Sequence, residues 1–223
     1  MTRAVLFDFD LTLADSTRAI VECFTHAFEK MALPRPLAAD VAKTIGVPLP
    51  QAFATLTGDA APHAAQLFVK RFIERADEVM SNLTTMLPHT VATVNALRAD
   101  GIRTAIVSTK FRYRIVEILE RRQLKDAFDV VIGGEDVSEH KPHPEGLKLA
   151  LQRLEVEPHE AVYVGDHPVD AQAAAGANLD FIAVLTGVAV REDFGSYTVR
   201  HFLDSLEMLP RTVAARGYAY RDK

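Results

Sequence analysis

The chain has 223 residues, of which 48% are apolar, with a single cysteine and a formal charge of −5. That length and apolar share suit one large domain, or a core with an insertion, and supply a sizeable core. The negative balance argues against nonspecific binding to nucleic acid or an anionic membrane, and Cys23 alone allows neither an intrachain disulfide nor a Cys-based zinc site.

In chain order, Ala4-Val5-Leu6-Phe7 reads as a strand buried on both faces, since four apolar residues in a row need cover above and below. The chain enters this strand without a basic segment and apolar stretch of the signal-peptide kind, and no apolar run approaches membrane-spanning length. A cytoplasmic protein without membrane contact is therefore expected. The strand runs into Asp8 and Asp10, which at i and i+2 of extended chain point the same way. Two like charges that close repel, more so in a low-dielectric site. A bound cation, a shared proton or a bend relieves this; a hard divalent ion such as Mg²⁺ suits the oxygen donors. Thr12 adds a hydroxyl beside the pair. A strand end followed by an Asx turn, with both carboxylates in water, is the simpler alternative.

Beyond Asp15 the periodicity becomes helical. Ser16 or Asp15 can cap a helix carrying Ile20, Cys23, Phe24, Ala27, Phe28 and Met31 on one stripe, with Pro34 and Pro36 ending it. Cys23 sits on that stripe as a small buried side chain. Val41 and Ile45, then Phe53 and Leu56, mark two short helices around the break Gly46-Val47-Pro48. A longer stripe runs from Leu67 to Met80. Residues 15–84 thus read as helices only.

From Pro88 onward helix and strand alternate. A helix over Val91, Val94 and Leu97 ends at Asp100-Gly101. Strands follow over 102–107, 128–132, 161–164 and 181–185, separated by helices from about Tyr113 to Arg122, from Pro144 to Leu154, and through small residues up to Gly176. Such alternation predicts an α/β fold: a doubly wound, Rossmann-like parallel sheet. The core then comprises residues 1–14 and 85–223, and residues 15–84 form an inserted helical cap domain. The tail Arg216 to Lys223 is expected to be loosely held.

In open α/β sheets ligands bind outside the carboxyl ends of the strands. Asp8, Asp10 and Thr12 follow the first strand, Ser108, Thr109 and Lys110 the second, His140-Lys141-Pro142 the third after a loop, and Gly165-Asp166-His167-Pro168-Val169-Asp170 the fourth. Each group has a bland reading: Ser108 and Thr109 as helix caps, Lys141 as a solvated lysine, Asp166 and Asp170 as carboxylates at a helix N-terminus. Four such groups at matching strand ends point instead to one site.

With those four ordered motifs the chain resembles the haloacid dehalogenase superfamily of hydrolases, in the phosphatase branch that carries a helical cap after the first strand. The likeness covers nearly the whole chain. It departs in two places: the family usually has glycine where Leu11 stands, and often Ser or Thr where His167 stands. The resemblance implies that Asp8 is the nucleophile, forming an aspartyl-phosphate. Asp10 would protonate the leaving oxygen and then activate water. Mg²⁺ would be held by Asp8, Asp166 and the main-chain carbonyl of Asp10, with Asp170 acting from behind them. Ser108 and Lys141 would contact phosphoryl oxygens.

The segments Thr44 to Leu49 and Ser108 to Arg114 look like those of phosphoglycolate phosphatases and related pyrophosphatases. Thr12, Thr109, Lys110, Lys43 and Arg112 are candidate substrate contacts. A small phosphorylated metabolite is the expected partner, on a monomer or homodimer. A sugar-phosphate mutase and a pyrophosphatase are the near alternatives. A 2-haloacid dehalogenase lacks the carboxylate of Asp10 and needs no Mg²⁺, and a non-catalytic interaction protein would not need these charges. His140, His143 and His167 match no zinc-site spacing.

Overall fold

The chain runs through β1 (Ala4–Phe7), β2 (Ala14–Asp15), the helices α1 (Thr17–Lys30), α2 (Ala38–Ala42), α3 (Leu49–Thr57) and α4 (Pro62–Leu83), then β3 (Thr85–Met86). From there helix and strand alternate through α5 (Thr90–Ala99), β4 (Arg103–Val107), α6 (Arg112–Arg121), β5 (Val130–Ile132) and α7 (Glu145–Leu154). The remainder is β6 (Ala161–Gly165), α8 (Pro168–Gly176), β7 (Asp180–Val184), β8 (His201–Leu203) and α9 (Leu209–Arg216). This computed structural model describes residues 1–216. The tail expected to be loosely held falls, apart from the backbone of Arg216, outside them.

Six strands form one parallel sheet in the order β5-β4-β1-β6-β7-β8. Both faces are covered, which is why β1 reads as an uninterrupted apolar run. Val5 and Phe7 enter one core with Leu97, Ile118 and Leu209 of α5, α6 and α9. Ala4 and Leu6 enter the other with Leu147 and Ala173 of α7 and α8. β1 lies between β4 and β6, with Phe7 aligned to Ile106 and Val164. The order therefore reverses at β1, and the crevice beyond its carboxyl end is the natural ligand position.

The four helices between β2 and β3 build their own aromatic centre. Phe68 packs against Phe24 and Phe53, each at 5.0 Å between ring centroids, with Phe28 and Phe72 around it. Burying one such ring contributes about 1.5–3 kcal/mol. β2 and β3 pair antiparallel through Ala14–Met86 and Asp15–Thr85, tying both ends of the helical segment together. Two residues are too few to show alternation, so this ribbon left no mark in the hydrophobic pattern; nor did β8 or α9. At the start of α1 it is Asp15 that accepts the Thr17 N–H, at 2.8 Å. The Ser16 hydroxyl lies instead 3.0 Å from that of Thr84, across the ribbon.

Candidate active site

At the end of β1 the Asp8 N–H still donates to Val164 O of β6, at 2.9 Å, and the chain then turns sharply. Leu11 adopts left-handed backbone, φ 59°. Its N–H donates to Ala14 O and its carbonyl accepts the Thr186 hydroxyl from the loop after β7. The turn keeps Asp8 and Asp10 buried together. Each is met by its own lysine: Lys141 Nζ lies 2.9 Å from Asp8 Oδ2, and Lys110 Nζ lies 3.0 Å from Asp10 Oδ2.

Lys141 is the hub. It arrives from the loop before α7 and also reaches Asp170 Oδ1 at 2.6 Å and the Tyr163 hydroxyl at 3.2 Å. Tyr163, from the middle of β6, lies 3.0 Å from Val107 O and 3.1 Å from Asp170 Oδ1, so β4, β6 and α8 all fix one ammonium. Burial alone would lower the Lys141 pKa, but the carboxylates of Asp170 and Asp8 outweigh it and hold the group above its usual range. Asp170 Oδ2 accepts the His167 N–H at 3.1 Å, so both its oxygens are engaged.

Asp166 receives the Thr12 hydroxyl at 2.8 Å. Burial, then Asp170 and Asp8, push its carboxyl pKa well up. The same effects raise Asp8 to about 6, with burial largest and Lys141 opposing. Asp8 Oδ1 and Asp10 Oδ1 are buried without a hydrogen-bond partner among the described residues. Carboxylate oxygens of Asp8, Asp166 and Asp170 can lie within 4.8 Å of one another. Orphaned anionic oxygens and an all-oxygen donor set fit a hard divalent cation. With Asp170 engaged by Lys141 and His167, Asp8 and Asp166 are the side chains with capacity left for one.

Several expected contacts lie elsewhere. Thr12 serves Asp166 rather than an open substrate space, and is fully buried. Lys43 is exposed and pairs with Asp40; Arg112 is exposed and pairs with Asp136. It is Arg114 that turns inward, to Asp77 Oδ1 at 2.6 Å and Ile73 O at 3.2 Å, because α6 places it one turn-face away from Arg112. Ser108 is buried beside the site, and its oxygen accepts a long 3.4 Å bond from Lys110 N–H. Thr109 Oγ1 reaches Gly46 O of the helical segment at 3.4 Å. His167 caps α8, accepting the Val169 N–H at Nδ1, and no histidine joins a metal-capable group among the described residues.

Two functional neighbours were not foreseen. Tyr163 was hidden inside an apolar run, where its hydroxyl was the only available signal. Gly187 packs against Asp166: a Cβ there would lie 2.0 Å from Oδ2.

Between this sheet edge and the helical segment lies a cavity bordered by Asp10, Thr109 and Lys110 on one side and by α1, α4 and the loop Thr44–Pro48 on the other.

The family model described as haloacid dehalogenase-like hydrolase matches residues 5–184. A "Pyrophosphatase PpaX" of Oceanobacillus iheyensis is 32% identical over 182 residues, 82% of this chain and 83% of that protein. Another from Bacillus mycoides is 30% identical over 92% and 94% of the two chains. A crystal structure described as a haloacid dehalogenase-like hydrolase from Bacteroides fragilis superposes with a TM-score of 0.91 at 39% identity, covering 94% of this chain and all of the other. A structure from Haemophilus somnus, described as a predicted phosphoglycolate phosphatase, shares the fold with TM-score 0.85 at 20% identity over 95% and 97%.

Proposed function

Because the chain belongs to the haloacid dehalogenase-like hydrolases, we propose that it is a Mg²⁺-dependent phosphatase hydrolysing a small phosphomonoester through an aspartyl-phosphate at Asp8. One observation carries the reading: four buried carboxylates, Asp8, Asp10, Asp166 and Asp170, meet at one sheet edge with, among the described residues, the ammonium groups of Lys110 and Lys141 paired against them. A dehalogenase has no use for the second carboxylate of the first motif, whereas phosphoryl transfer uses it as acid and base.

An oxygen of Asp8 attacks phosphorus and the bond to the leaving oxygen breaks, as Asp10 gives that oxygen its proton. Asp10 then takes a proton from the water that attacks the phosphoenzyme, which returns Asp8 and releases inorganic phosphate. Lys141, held by Asp170 and Tyr163, orients Asp8 and offsets charge on the phosphoryl oxygens, and Ser108, directly after β4, is the second phosphoryl contact. Mg²⁺, held by Asp8, Asp166 and the Asp10 carbonyl, would offset the repulsion between an anionic nucleophile and an anionic phosphate. The helical segment, residues 15–84, serves as a cap that excludes bulk water and selects substrate. The site works in the cytoplasm on a free metabolite, in a monomer or homodimer.

The relatives named pyrophosphatase support a second reading, with phosphate itself as leaving group; a sugar-phosphate mutase would use the same acid and base. Single-turnover kinetics of Asp10→Asn test the proposal. Phosphoenzyme formation should slow by roughly 10²–10⁴ for an alkyl phosphate and far less for p-nitrophenyl phosphate, whose phenol leaves unprotonated. Equal losses for both would remove Asp10 as proton donor.

A further inference from the structure

We infer, building on the phosphatase reading, that the preferred substrate carries its phosphoryl group on a compact, uncharged, apolar alcohol rather than on a carboxylate-bearing or phosphate leaving group. The cavity beside Asp10 is where that alcohol must sit, because the group that protonates the leaving oxygen faces it.

Its walls are apolar. Ile20, Phe24, Ile45, Phe72 and Met80 are buried and line it, with half-buried Val47 at the loop. The polar side chains on its surface already have partners inside the protein. Thr44 Oγ1 donates to Val41 O at 2.8 Å, and Thr109 Oγ1 contacts Gly46 O. Lys110 lies on Asp10 and 3.6 Å from Met80 Sδ. Arg114 lies on Asp77 and Ile73 O, with its guanidinium 5.6 Å from the Phe111 ring centroid. Lys110 and Arg114 are thus each already held by a protein carboxylate, Asp10 and Asp77. A carboxylate or second phosphate placed there would lose its water and meet cations that are already held by the protein, among mostly apolar walls. An alkyl group loses nothing polar and gains contact with five buried apolar side chains.

Size narrows the class further. The cavity holds about 80 Å³, less than the roughly 150 Å³ that admits a benzene ring in a protein core. A leaving group of a few carbon atoms fits.

Isobutyl phosphate and phosphoglycolate make a near-isosteric pair, with two methyl groups in place of two carboxylate oxygens. Each would be hydrolysed to its alcohol and inorganic phosphate with one water consumed. With wild-type enzyme and Mg²⁺, kcat/KM from phosphate release should be at least tenfold higher for isobutyl phosphate than for phosphoglycolate or pyrophosphate. Acetyl phosphate, whose leaving group departs without a pocket, reports the Asp8 chemistry alone. If acetyl phosphate is cleaved by wild type but not by Asp8→Asn, and phosphoglycolate or pyrophosphate equals or exceeds isobutyl phosphate, this inference falls and the phosphatase reading stands. If none of the four is cleaved, both fall. Val47→Arg, at a half-buried position able to accept a cation, should shift the phosphoglycolate to isobutyl phosphate ratio at least tenfold toward phosphoglycolate. An unchanged ratio in a folded variant would overturn the assignment of the leaving group to this cavity.

Discussion

Lys141 Nζ lies 2.9 Å from Asp8 Oδ2, and both side chains are buried. The pair holds Asp8, the proposed nucleophile, in place while Asp170 and Tyr163 hold the lysine. Removing one partner of such a pair leaves buried charge uncompensated. Lys141→Met should therefore destabilise the fold by about 3–5 kcal/mol, read from urea midpoints. Asp8→Asn should behave oppositely without metal. Four carboxylates there face two ammonium groups, so losing one anion relieves repulsion and the melting temperature in chelator should rise. Turnover should fall by a factor on the order of 10⁴ or more, as for other nucleophile deletions.

Metal removal gives a second test. A cation that binds the folded carboxylates and not the unfolded chain stabilises by about 2.7 kcal/mol at one hundred times its Kd. For a chain of this size that is a rise of roughly 5–10 °C in Tm. The shift should vanish with EDTA and in Asp8→Asn, measured by differential scanning calorimetry.

Gly187 tests the support of the proposed metal site. A methyl group there would lie 2.0 Å from Asp166 Oδ2, so either the carboxylate or the loop after β7 must move. Gly187→Ala should weaken Mg²⁺ binding by roughly 10–100-fold in titration calorimetry, while far-UV circular dichroism stays that of the wild type.

Leu11 sets two effects against each other. Left-handed backbone costs a non-glycine residue about 1–2 kcal/mol. Its buried side chain contributes about 1.5–3 kcal/mol, and glycine adds roughly 0.5–1 kcal/mol of unfolded-state entropy. Packing wins, so Leu11→Gly should lower stability modestly rather than raise it, as chemical denaturation would show.

Cys23 carries a pH dependence. Burial, partly opposed by Arg114 and Lys110, lifts its thiol from 9.0 to about 12. Below pH 9 folded and unfolded chains both hold the proton, and its stabilising effect is fully present. Between pH 9 and 12 the unfolded chain ionises first, so that contribution is lost as pH rises. From pH 8 to 10.5 the wild type should lose about 1–2 kcal/mol more than Cys23→Ala, by urea midpoints at the two pH values.

Fold class, the parallel sheet and the all-helical segment were legible in the chain because each rests on local periodicity. Val5 and Phe7 alternate with Ala4 and Leu6 between two cores, and the stripe of α1 repeats every turn. The chemical groups were legible too, since Asp8, Asp10, Ser108, Lys141 and Asp166 each follow a strand and all strands end on one edge. What only tertiary structure decided was which partner each charge takes. Thr12 turns to Asp166, Lys110 to Asp10 and Arg114 inward in place of Arg112, across sequence separations of tens to more than a hundred residues. The β2–β3 ribbon, the approach of Gly187 to Asp166 and the apolar cavity above Asp10 belong to the same class. Each arises where segments distant in sequence meet, and periodicity within one segment carries no information about its neighbour.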